Sequence, residues 1–115
     1  MKNPITTHVL DTSRGQPAAG VAVSLARQAA NGEWQELAQT ATNAEGRVSD
    51  LFPAGAALEM GIYRLTFDTG GYFRALGGET FYPYAAVVFE IKKTEQHYHV
   101  PLLLNPFGYS TYRGS

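Results

Sequence analysis

The chain has 115 residues, room for one domain and one core spanning 1–115. It has no cysteine, which excludes disulfides and thiolate metal sites. Nine Lys and Arg oppose ten Asp and Glu, so there is no basic stripe of the kind nucleic acid requires, and no stretch approaches the ~20 apolar residues of a membrane helix.

Period-two patterning dominates. Met1 to His8 lacks the apolar core of a signal peptide, so the expected setting is cytoplasmic. Thr6 to Asp11 reads as a first strand, and Ser13-Arg14-Gly15-Gln16-Pro17 as a plain loop. Val21, Val23 and Leu25 share a face of the next strand; Asn31-Gly32 is a hairpin signal, and Trp34 to Thr42 is the return. Asn43-Ala44-Glu45-Gly46 forms a second turn, from which Arg47 emerges. Ile62 to Asp68 alternates, with Tyr63, Leu65 and Phe67 facing in. Tyr72 to Leu76, stopped by Gly77-Gly78, predicts one short helix. After Pro83 comes a strand in which Val87, Phe89 and Ile91 share a face, then a polar turn, Lys92 to Gln96. Two final strands follow, broken at Asn105-Pro106. The fold class this predicts is all-β: an antiparallel sandwich of about eight strands with one short helix.

The strand from Tyr98 is unusual on its second face. Tyr98, Val100, Leu102 and Leu104 line one side, and His99, Pro101 and Leu103 the other. A half-solvated strand is polar on its outer side. This one is apolar on both, so a partner subunit is expected to cover it.

The candidate chemistry lies close by. The chain has three histidines, His8, His97 and His99. Any one of them is most simply a packed or solvated ring, but His8 and His99 each sit among apolar neighbours on separate strands. Arg47 follows a glycine turn, and its planar guanidinium suits an amide or oxyanion. His97 and His99 share a strand face, so with His8 a three-histidine zinc site is an alternative, although alternate spacing is weak evidence. Ser110 and Ser115 have no nucleophile-elbow motif around them, and no phosphate loop or dinucleotide fingerprint occurs. The aromatic and abrupt C-terminal run Tyr112-Arg113-Gly114-Ser115 suggests that this end is itself part of a site.

These residues also carry a resemblance. Thr7-His8-Val9-Leu10-Asp11 with Gly15-Gln16-Pro17-Ala18, and Tyr98 to Leu104 followed by Pro106 to Ser115, resemble the two terminal signatures of the transthyretin-related proteins. Gly46-Arg47, Gly61-Ile62-Tyr63 and Phe81-Tyr82-Pro83 fit between them, so the likeness spans the chain. The ending Tyr-Arg-Gly-Ser, with His8, Arg47 and His99, is similar to the branch that hydrolyses 5-hydroxyisourate rather than to the hormone carriers. Asn105 and Phe107 depart from it, standing where serine and tyrosine are frequent.

The resemblance implies a β-sandwich homotetramer, a dimer of dimers with sites in a channel between subunits. The implied reaction turns 5-hydroxyisourate into 2-oxo-4-hydroxy-4-carboxy-5-ureidoimidazoline in urate degradation. It needs no cofactor and no metal. His99, helped by His8, is expected to activate water, and Arg47 to steady the negative charge. Tyr112, Arg113, Gly114 and Ser115 are expected to close the site, with Pro101 and Leu103 against the substrate. Ser115 offers a hydroxyl and the terminal carboxylate.

Overall fold

A computed structural model of the protein describes residues 3–115; Met1 and Lys2, at the start of the expected domain, lie outside the described residues. Alternation becomes two facing sheets. One contains β1 (Ile5–Asp11), β2 (Gln16–Pro17), β5 (Arg47–Val48), β8 (Tyr98–Asn105) and β9 (Gly108–Thr111). The other runs β4 (Trp34–Ala41), β3 (Ala22–Gln28), β6 (Gly61–Phe67), β7 (Ala85–Ile91).

The inner faces carry the residues that alternation selects. Ile5 and Val9 of β1, with Val100, Leu102 and Leu104 of β8, meet Val23, Leu25, Tyr63, Leu65 and Phe67 across the sandwich. Each aliphatic or aromatic side chain buried this way stabilises the fold by about 1.5–3 kcal/mol.

The sandwich is antiparallel with one exception that alternation does not encode. β1 and β8 run parallel, in the register Thr6 to His99, His8 to Pro101 and Leu10 to Leu103. A parallel pair requires a long crossover, and here most of the chain lies between the two strands. Gln16–Pro17, read as loop from its turn residues, forms a two-residue edge strand on β1.

The helix starts earlier than expected. α1 spans Thr69–Ala75, and Asp68 caps it by accepting the Gly71 N–H at 3.0 Å. Gly70 and Gly71 read as helix breakers, but both are packing residues. A Cβ on Gly70 would sit 2.5 Å from the Pro83 carbonyl oxygen, and one on Gly71 would overlap the Asp68 carboxylate. Gly77, at φ 78°, ends the turn as expected.

The helix docks through a buried pair, with the Tyr72 hydroxyl donating to Asp11 Oδ2 at 2.8 Å. Burial, and then the bond to Asp11, push the Tyr72 phenol above its ordinary value of 10.0, against the opposing influence of the Arg14 cation. A raised folded pKa gives stability that is whole below the unfolded value and lost as pH climbs through the folded one. Tyr72→Phe is expected to cost about 1–2 kcal/mol at neutral pH and to flatten this alkaline loss. Urea unfolding at about pH 8 and about pH 11 checks both effects.

Candidate active site

Cross-strand register builds the site. Directly opposed residues of neighbouring strands share a face, so the pairings arrange the outer face of the β1–β8 sheet in rows. Arg47, His8 and Pro101 form one row. Thr6, His99 and Gly114 form the next, and Leu10, Leu103 and Ser110 a third. Chain segments far apart in sequence thus contribute to one surface.

Arg47 is delivered by a tight turn. Asn43 Oδ1 accepts the backbone N–H groups of Glu45 and Arg47, each at 2.9 Å. The Gly46 carbonyl accepts the Val9 N–H at 2.7 Å, docking the turn on β1. Gly46 holds φ 75°, and a Cβ there would overlap the Val9 carbonyl oxygen. Gly46→Ala is expected to cost about 2–4 kcal/mol and to displace the Arg47 turn, as urea unfolding will read.

His8 braces the same turn. Its Nε2 lies 2.9 Å from the Glu45 carbonyl oxygen. A carbonyl only accepts, so His8 Nε2 carries the proton and donates it. That contact is invisible to a reading of side-chain types, because its acceptor is backbone.

His99 and His97 meet a shared partner. Thr6 Oγ1 lies 2.8 Å from His99 Nδ1 and 3.0 Å from His97 Nε2. Both rings stand on the outer side of the sheet, with Tyr98 between them turned into the core. His97 Nδ1 is buried and has no protein partner among the described residues.

The C-terminal residues are anchored along this row. The Gly114 N–H donates to the His99 carbonyl at 2.8 Å. A Cβ on Gly114 would stand 2.6 Å from His99 Cδ2, so only glycine lets the backbone lie against the ring. The Arg113 guanidinium lies 4.6 Å from the centre of the Tyr98 ring and donates to Gln96 Oε1 at 2.9 Å. These contacts fix the approach of Ser115.

An open cleft of about 440 Å³ results, lined by Thr6, Arg47, Ser49, His97, His99 and Ser115 among others. The structure therefore brings together Arg47, His99 and Ser115. His8 stands beside them in the sheet, with its Nε2 on the Glu45 carbonyl. Pro101 is buried, and Leu103 is half-buried further along the same face. Within one protomer, Tyr112 and Arg113 line a separate cleft of about 210 Å³ with Val88 and Tyr98. The three histidines do not converge: among the described residues, no three His, Asp or Glu side chains form a metal-binding group.

Thr6 has no role in the sequence reading, and His97 enters it only as a ligand of the alternative zinc site. The parity signal was present for both, since Thr6 alternates with His8 and His97 with His99. Their meeting depends on the parallel register.

The sequence pattern of the HIUase/Transthyretin family matches residues 5–114. The chain belongs to this family. It is 48% identical to the mouse 5-hydroxyisourate hydrolase, with 98% of this chain and 96% of that protein covered. It is also 48% identical to the Salmonella typhimurium 5-hydroxyisourate hydrolase, covering 98% of this chain and 82% of that protein. In structure, sea bream transthyretin in complex with thyroxine superposes with a TM-score of 0.91 at 34% identity, over 97% of this chain and 95% of that one. The Klebsiella pneumoniae 5-hydroxyisourate hydrolase superposes at 0.83 with 42% identity, over 96% and 92%. Backbone shape alone does not separate the hydrolase from the transthyretin, since both superpose closely.

Proposed function

We propose that this chain is a hydrolase of purine degradation that opens the ring of 5-hydroxyisourate. The observation that carries the reading is the gathering of Arg47, His99 and Ser115 around one cleft, in a chain nearly half identical to proteins named for that reaction.

In the proposed mechanism, His99 takes a proton from water as the water oxygen attacks a ring carbonyl carbon. The tetrahedral intermediate collapses with cleavage of the ring C–N bond, and the proton returns to the departing nitrogen. An imidazole titrates near neutrality, which suits both steps, and such acid–base help is worth about 10²–10⁴-fold. Arg47 binds the polar edge of the ring and stabilises the oxyanion, an effect of about 3–4 kcal/mol for a preorganised donor. His8 keeps the Arg47 turn in place through the Glu45 carbonyl, and Ser115 offers a hydroxyl to the ring. Imidazole and guanidinium chemistry suffices for these steps, so the proposed reaction uses no cofactor.

A homotetramer, a dimer of dimers, and a cytoplasmic setting belong to the same proposal. β7 and β9 are sheet edges, and Val88, Tyr109 and Tyr112 beside them are exposed. Half-buried Leu10 and Leu103 give the outer face an apolar strip next to the cleft. A second protomer over that strip would turn the open cleft into a channel and bring Leu103 against the substrate.

Stopped-flow mixing with freshly generated 5-hydroxyisourate tests the reading. The expected result is decay well above the spontaneous rate, saturating with substrate. Decay at the spontaneous rate, with tight binding of a flat hydrophobe, would establish a carrier instead.

A further inference from the structure

Thr6 Oγ1 stands within hydrogen-bond distance of His99 Nδ1 and His97 Nε2 at once, and we propose that it is a proton relay joining the two rings, with His97 as the store. This rests on the hydrolase reading given above. A hydroxyl has one hydrogen and accepts through its lone pairs. Between two neutral imidazoles, it donates to one and accepts from the other. The two rings must therefore hold the same tautomer, both protonated on Nδ1 or both on Nε2.

Only the first arrangement serves a base. With the Nδ1 protons in place, His99 Nδ1–H donates to Thr6, and the Thr6 hydroxyl donates to His97 Nε2. His99 Nε2, the nitrogen that Thr6 does not engage, then carries the lone pair. When His99 Nε2 takes a proton from water, a new oxygen–carbon bond forms at the substrate carbonyl. The His99 Nδ1 proton passes to Thr6, and the Thr6 proton passes to His97 Nε2. His97 is now the cation, and His99 is neutral with its proton on Nε2, ready to give it up.

Collapse of the intermediate reverses the chain. The C–N bond breaks and its electron pair stays on nitrogen, which takes the His99 Nε2 proton. His97 Nε2 returns its proton to Thr6, Thr6 returns its own to His99 Nδ1, and both rings end as they began. His97 Nδ1 is buried without a protein partner among the described residues, so it offers no second exit, and protons enter and leave at the cleft. Sharing one positive charge between two rings makes the pair a stronger base than a lone imidazole beside the Arg47 cation.

Thr6 is thus a positioning residue, and its test needs more than a loss of rate. Thr6→Val keeps the β-branched shape and removes the hydroxyl; Thr6→Ser keeps the hydroxyl. The expected results are a kcat lower by about tenfold or more in Thr6→Val at similar KM, with most of the rate recovered in Thr6→Ser. A proton inventory in mixed light and heavy water is expected to curve in the wild-type protein and to become linear in Thr6→Val. Histidine ¹⁵N NMR of the wild-type protein at about pH 8.5, where imidazoles are neutral, is expected to show His97 and His99 both as the Nδ1–H form. Unlike tautomers, a shared Nε2–H form, or a wild-type kcat in Thr6→Val would each overturn the relay. A wild-type chain that does not accelerate decay would overturn the hydrolase reading and the relay's use in catalysis, while the NMR would still decide whether the chain of hydrogen bonds exists.

Discussion

Replacing His99 by alanine is expected to lower kcat for ring opening by about 10²–10⁴-fold, the range supplied by a positioned acid–base group. The fold should survive, because the ring is half-buried on the outer face rather than in the core. His8→Ala is the informative comparison. Its Nε2 proton is committed to the Glu45 carbonyl, and that contact braces the turn carrying Arg47. Loss of His8 is therefore expected to act mainly on KM, and loss of His99 on kcat. Steady-state kinetics of the two variants, with circular dichroism as a control on folding, distinguishes the roles. A His99→Ala protein with normal kcat would remove that ring from the chemistry.

Deletion of Tyr112–Ser115 is expected to lower kcat by about 100-fold or more, the scale of losing a preorganised donor, and to leave the proposed tetramer intact by sedimentation. The truncation takes Ser115 from the cleft and removes the Gly114 N–H from the His99 carbonyl. It also uncovers Tyr98, over which Arg113 lies, a contact worth about 0.5–2 kcal/mol. Gly114→Ala separates the two effects. It keeps every other residue of the segment but sets a methyl 2.6 Å from His99 Cδ2, so either the ring or the backbone must move. If truncation left kcat unchanged, these residues would serve only as cover for the core.

Much of this was legible in the sequence, and the limits have physical causes. Alternation is a property of a single strand, so it placed Tyr98 inward and His99 outward without any knowledge of partners. It also showed that Pro101 and Leu103 make the second face of that strand apolar. Register is a property of two strands, and nothing in β1 alone says that Thr6 will face His99 in a parallel pair. The bridging hydroxyl was missed for that reason. The helix boundary was hidden differently: Gly70 and Gly71 look like breakers until Pro83 and Asp68 are seen occupying the space that side chains would need. The brace on the Arg47 turn was hidden because the acceptor is the Glu45 backbone, which any residue would provide. Arg113 was expected to close the site, and its stacking over Tyr98 became visible only once the polar turn before β8 was placed in space.

The parallel pairing of β1 with β8 has a consequence for how activity is acquired. Thr6 and His99 are 93 positions apart, so their meeting closes one of the longest loops of the fold, and such closures are slow relative to local hairpins. A polypeptide still emerging from the ribosome can form the β3–β4 hairpin while having no catalytic capacity at all. Recovered turnover after dilution from denaturant is thus expected to lag the far-ultraviolet signal, which makes the enzyme its own reporter for the final step of assembly.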